Sequence, residues 1–155
     1  MKAWNFIVKS NPKEISKKLE SALGSVDGFV YDMDYDKNNS VTFKVRKRIL
    51  YIWYMFFDNW TIVNGKLLKT DPENETHVEI SFTQHFLTSM VIYSHMFLGL
   101  GLLVAILLGV SNNASYILIG GVLLTIGIVL WIAVQKKFEK DVQKYKSLIS
   151  KILES

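Results

Sequence analysis

Between Phe86 and Val134 the chain carries no Asp, Glu, Lys or Arg. The stretch is two apolar runs, Phe86–Val110 and Ala114–Val134, parted only by Ser111, Asn112 and Asn113. An α-helix needs roughly 20 residues to cross a hydrocarbon layer about 30 Å thick, and each run has that length. The pattern predicts an integral membrane protein with a transmembrane helical hairpin over residues 86–134, its spans at about 90–110 and 114–134. Residues 1–85 are left as a small α+β domain and residues 135–155 as a Lys-rich helix.

Charge sets the expected orientation. Residues 1–85 hold twelve Lys/Arg against eleven Asp/Glu, whereas the part after Val134 holds six Lys against three acids. Lys136, Lys137, Lys140, Lys144 and Lys146 flank the second span, while the three-residue connector is uncharged. By the positive-inside rule both termini are expected in the cytoplasm, at an inner or plasma membrane. The start of the chain does not read as a signal peptide, since Lys9, Lys13 and Glu14 follow a very short apolar stretch. The basic excess beside the membrane suits anionic lipids. Acids compensate the bases in the head, which speaks against a nucleic-acid partner. There is no cysteine, so disulfides and thiolate chemistry are excluded.

Along the head, Trp4, Phe6 and Val8 alternate with polar residues over Lys2–Lys9, with Ile7 breaking the pattern, and predict a strand. Asn11, Pro12 and Glu14 form a helix start, with Asn11 as cap and Glu14 placed to reach back in a capping box. Ile15, Leu19, Ala22 and Leu23 keep helical spacing until Gly24. Phe29–Tyr35 and Val41–Arg48 alternate and predict a hairpin with acids facing bases on its outer side. Ile49–Phe57 is nine apolar or aromatic residues in a row, readable as a strand buried on both faces or as a segment in the headgroup layer. Trp60, Ile62 and Leu67–Leu68 outline another strand, with Asn64-Gly65 as a turn or bulge signal. Thr70–Glu75 reads as a turn, and Val78, Ile80 and Phe82 mark a last strand. The expected fold is thus an α+β membrane protein: a small antiparallel sheet with one helix (β-α-β-β-β-β), a transmembrane hairpin and a C-terminal amphipathic helix.

Two sets of residues stand out as packing surfaces. In the first span Gly101, Ala105 and Gly109 form a stripe of small residues, with Gly120, Gly121 and Gly127 in the second span as its simplest partner and self-association between chains as the alternative. In the tail, Phe138, Val142, Tyr145, Ile149 and Ile152 form an apolar seam, to be packed on the chain's own sheet or on another subunit.

Chemistry-bearing constellations are few. Asp32-x-Asp34-x-Asp36 begins like a calcium loop, but Lys37 and Phe43 stand where glycine and an acid are needed. His77-x-Glu79 places two ligand types on one strand face, and nothing else converges on them. No phosphate loop or nucleophile elbow is present. No metal, cofactor or catalytic residue is expected. Neither span has an ionisable residue deeper than His95, which argues against an ion path.

The order of elements (first strand, helix, several antiparallel strands, long last helix) resembles the START/Bet v 1-like folds, although two spans before the last helix depart from them. That resemblance implies an apolar ligand under the sheet, and Phe29, Tyr31, Met33, Trp53 and Phe56 would line its site. The leading expectation is different: a non-enzymatic, membrane-anchored accessory or scaffold subunit, in contact with membrane lipids, that presents its head and tail to a membrane-protein partner.

Overall fold

Alternation along the strands decides which side of the sheet becomes core. The computed structural model describes residues 1–25, 29–35, 40–47, 61–70, 75–110 and 113–154. Five strands form one antiparallel sheet: β1 (Lys2–Val8), β2 (Phe29–Tyr35), β3 (Val41–Lys47), β4 (Thr61–Thr70) and β5 (Glu75–Gln84), in the spatial order β1-β5-β4-β3-β2. The first strand therefore lies beside the last. Helix α1 (Pro12–Gly24) follows β1, and α2 (Phe86–Leu107) and α3 (Ala114–Glu154) follow β5. The expected order of elements is present, while Ile49–Phe57 and the centre of the Thr70–Glu75 turn lie outside the described residues.

The inner face of the sheet is built from residues in register. Phe6, Val78, Leu67, Val41 and Tyr35 make one row, and Trp4, Ile80, Gly65, Phe43 and Met33 the next. Val63, Leu67, Val78 and Phe82 are completely buried. Against this face α1 lays Ile15, Leu19 and Leu23. Ile7, which interrupts the alternation of β1, is exposed because it stands on the opposite face.

Gly65 does not make a turn or bulge. It sits inside β4 because the Phe43 ring lies over its Cα, where any Cβ would collide with ring atoms. The cap of α1 also differs from expectation. The Asn11 side chain accepts from the Glu14 amide (2.9 Å), but the Glu14 carboxylate accepts from the Ser10 hydroxyl (2.6 Å) instead of closing a capping box. The strand exit is tied as well, since Thr76 Oγ1 donates to the Ser10 carbonyl (2.6 Å).

The chain divides into two compact units. One comprises Met1–His85 with Lys140–Ser155, the other Phe86–Glu139. In the second unit, α2 and the first part of α3 are long and apolar enough to cross a membrane. Their apolar side chains mostly point outward; Leu107 is 84% exposed and Phe97 73%. The two helices approach at glycines: a Cβ on Gly99 would stand 2.6 Å from the Leu124 amide nitrogen, and one on Gly127 2.7 Å from Met96 Cγ. Gly120 meets the Gly99 carbonyl and Leu102. Gly99 thus occupies the place anticipated for the Gly101, Ala105 and Gly109 stripe, whereas Gly101, Gly109 and Gly121 face open space. Gly99 has no small residue three or four positions away, since Met96, His95, Leu102 and Leu103 stand there, so the spacing that marks Gly101, Ala105 and Gly109 does not mark the contact.

Candidate binding face

The tail decides which surface of the head is free. In the first unit, α3 supplies Val142, Tyr145 and Ile149, all 5% exposed or less. Tyr145 meets the Phe29 ring edge-on at 6.0 Å, Asp141 accepts a hydrogen bond from Thr61 (3.3 Å), and Lys146 Nζ lies 5.5 Å from the Trp4 ring centroid. The seam is turned toward the chain's own sheet. Phe138 is buried too and Ile152 half-buried. With α1, the tail covers the inner face.

The opposite parity of each strand makes the outer face. There the register runs Asn5, Glu79, Lys66, Thr42, Asp34 in one row and Ala3, Ser81, Asn64, Lys44, Asp32 in the next. These residues line an open hollow of about 690 Å³. Small side chains (Ala3, Ser81) lie toward the β1 side, and longer charged ones toward β2. Charge alternates across the hollow: Glu79, then Lys66 and Lys44, then Asp34 and Asp32. Lys44 directly faces Asp32, but Asp34 faces Thr42, so the anticipated ladder of acids against bases is only partly present. Arg46 approaches Asp32 at 4.0 Å with both side chains more than half exposed, a pair worth little in water. Ser81 donates to the Asn64 carbonyl (3.5 Å), which engages its hydroxyl with backbone.

Such a surface offers hydrogen bonds and alternating charge over the width of five strands. Among the described residues no group of three His, Cys, Asp or Glu side chains is placed to hold a metal. Asp32 and Asp34 point from the outer face, and Asp36 lies outside the described residues. His77 stands between Ile7 and Leu68, one row from Glu79.

The residues anticipated around an apolar ligand are placed differently from one another. Phe29 contacts Tyr145, and Tyr31 stacks on Phe43 with ring centroids 6.0 Å apart. Trp53 and Phe56 lie outside the described residues. The Tyr31 hydroxyl is buried without a hydrogen-bond partner among the described residues. Burial, followed by the Glu20 charge and Tyr35, pushes its pKa well above the usual phenol value.

Sequence reading missed the outer hollow. Its residues are visible in the sequence as the polar members of each alternating strand, yet alternation alone cannot distinguish a flat wet face from a concave one. No family model, curated protein or solved structure matches this chain.

Proposed function

We propose that this chain is a non-enzymatic accessory subunit, anchored in a membrane by the α2–α3 hairpin, that binds a polar protein segment on the outer face of its head sheet. The observation that carries this reading is the division of the sheet: α1 and the tail seam occupy the inner face, and the outer face keeps an open polar hollow of about 690 Å³. Outward-pointing apolar side chains on α2 and α3 support membrane insertion. The packing of Lys140–Ser155 with Met1–His85 supports both termini lying on one side of the membrane, and the lysines after Val134 support the cytoplasmic side. With Val142, Tyr145 and Ile149 buried, the partner surface in this proposal is the sheet and not the tail.

A photo-crosslinking residue at Asn64, introduced into the full chain in its native membrane, tests the reading. It should yield a discrete crosslinked protein, and Lys44→Glu with Lys66→Glu should abolish the product. Crosslinks only to lipid, or an adduct insensitive to that double charge reversal, would remove the proposed role.

A second reading, an apolar ligand between sheet and helices, draws support from the Tyr31 hydroxyl, which has no partner among the described residues and which a ligand acceptor would satisfy. Native mass spectrometry of the full chain would then show a reproducible bound mass that Tyr31→Phe weakens.

A further inference from the structure

We propose that the outer hollow of the head sheet selects its segment by charge order, taking an extended stretch of the form basic-x-acidic-x-basic laid across the strands. This rests on the binding reading above and names the chemistry of the segment that the hollow takes.

The order follows from the strand register. One row crosses from Glu79 on β5 to Lys66 on β4, Thr42 on β3 and Asp34 on β2. Lys44, two residues along β3 from Thr42, stands diagonally across from Lys66. Diagonal neighbours on one face are about 7–8 Å apart, so the two ammonium groups can both reach a carboxylate placed between them. Lys44, Lys66 and Asp34 are exposed and Glu79 is half-buried. Lys66 is opposite Glu79, yet among the described residues no ion pair joins them, and none holds Lys44 or Asp34. Asp32, opposite Lys44, is approached by Arg46 instead. The hollow thus presents an acid, two cations and an acid in sequence from β5 to β2.

Charge complementarity selects the occupant. Neighbouring strands are about 5 Å apart, so each lysine has an acid one strand away: Glu79 beside Lys66, and Asp32 beside Lys44. A polyanion would meet those acids, and a cation would meet the lysines. A polypeptide can place both signs at this spacing. The distances then fix its period. From β5 to β2 is three strand spacings, about 14 Å, and the midpoint, about 7 Å from either end, falls between β4 and β3, the strands that carry the lysines. Along an extended chain, residues two apart share a face and are about 6.8 Å apart. A segment crossing the row sets one basic residue at Glu79, an acid two residues on between Lys66 and Lys44, and a second basic residue two further on at Asp34.

The test uses the full chain in mild detergent with a photo-crosslinking residue at Asn64, which is opposite Lys44 in register. Two fluorescent peptides of identical composition are offered, one with glutamate between two lysines at alternate positions, the other with the glutamate moved to the end. The ordered peptide should label the chain about tenfold more than its isomer, because the isomer sets like charges against each other. Raising the salt should narrow that ratio. Lys44→Glu with Lys66→Glu should switch the choice to a third peptide whose central glutamate is lysine, a gain that a misfolded variant cannot produce. Lys44→Arg with Lys66→Arg should keep the original choice. Equal labelling by the two isomers, or failure of the charge-reversed variant to switch, would overturn the inference. The same Asn64 probe in native membranes separates the two failures. A discrete crosslinked protein there, without a preference among the peptides, contradicts only the charge order, whereas the absence of any crosslinked protein contradicts the binding reading itself.

Discussion

Gly65 and Tyr31 show how single positions in the head are fixed by their neighbours. Phe43 is 3% exposed, so its ring cannot move aside for a new Cβ on Gly65. Gly65→Ala should destabilise the full chain by about 2 kcal/mol, in the usual range for overpacking, measured as a lower thermal midpoint in detergent. Tyr31 is the opposite case, a buried hydroxyl without a hydrogen-bond partner among the described residues. Replacing it by Phe removes an unsatisfied buried hydroxyl and should raise stability by about 1 kcal/mol, provided no apolar ligand uses that atom. The same substitution should alter the pH response. Because the folded-state pKa is raised, the unfolded chain loses the Tyr31 proton first. Its contribution is complete below the unfolded phenol value of about 10 and is lost as pH rises from there toward the folded value. Alkaline unfolding curves of Tyr31→Phe should therefore fall less steeply over that window than those of the unaltered chain.

Elements were legible in the sequence wherever a period or a cap marked them. The alternation of Phe29–Tyr35 with Val41–Lys47 and the Asn11 cap appear as read, and the second apolar run and the Lys-rich tail form one helix, Ala114–Glu154. Asn64-Gly65 was misleading because turn chemistry is also what a strand shows when a neighbouring ring removes the space for a side chain. The contact on α2 was missed because Gly99 has no small residue three or four positions away to mark it, and only the rotation of the helix reveals where the close approach falls. That rotation gives a paired prediction. Gly99→Ala places a methyl against the Leu124 and Gly120 backbones and should separate the helices, while Gly101→Ala meets nothing within 4 Å and should be neutral. Thermal midpoints of the two variants in the same detergent check it; equal midpoints would contradict the contact. Similarly, Ile149 is completely buried, and Ile149→Ala should cost about 3 kcal/mol if the seam is part of the head's core. The concave outer face had no marker in the sequence at all, because curvature is a property of five strands together.

On the scale of the molecule, the head and the end of α3 share one compact unit although the hairpin separates them in sequence. A protease added to sealed vesicles should consequently reach both or neither, whichever way the vesicles face; cleavage of one with full protection of the other would be incompatible with that unit. The same arrangement sets an order of assembly. The head leaves the ribosome before the hairpin, yet Val142, Tyr145 and Ile149, which cover its inner face, follow the hairpin. At a synthesis rate of about 5–20 residues per second, the sheet waits several seconds with its apolar side open. During that interval the two apolar runs emerge and, in the membrane reading, enter the bilayer. Completion of the head then depends on the hairpin returning the tail to the side where the head waits. In that reading topogenesis becomes a folding step for the head, and a chain in which only one of the two runs inserts is left with an unfinished core, marked for quality control by its exposed apolar surface.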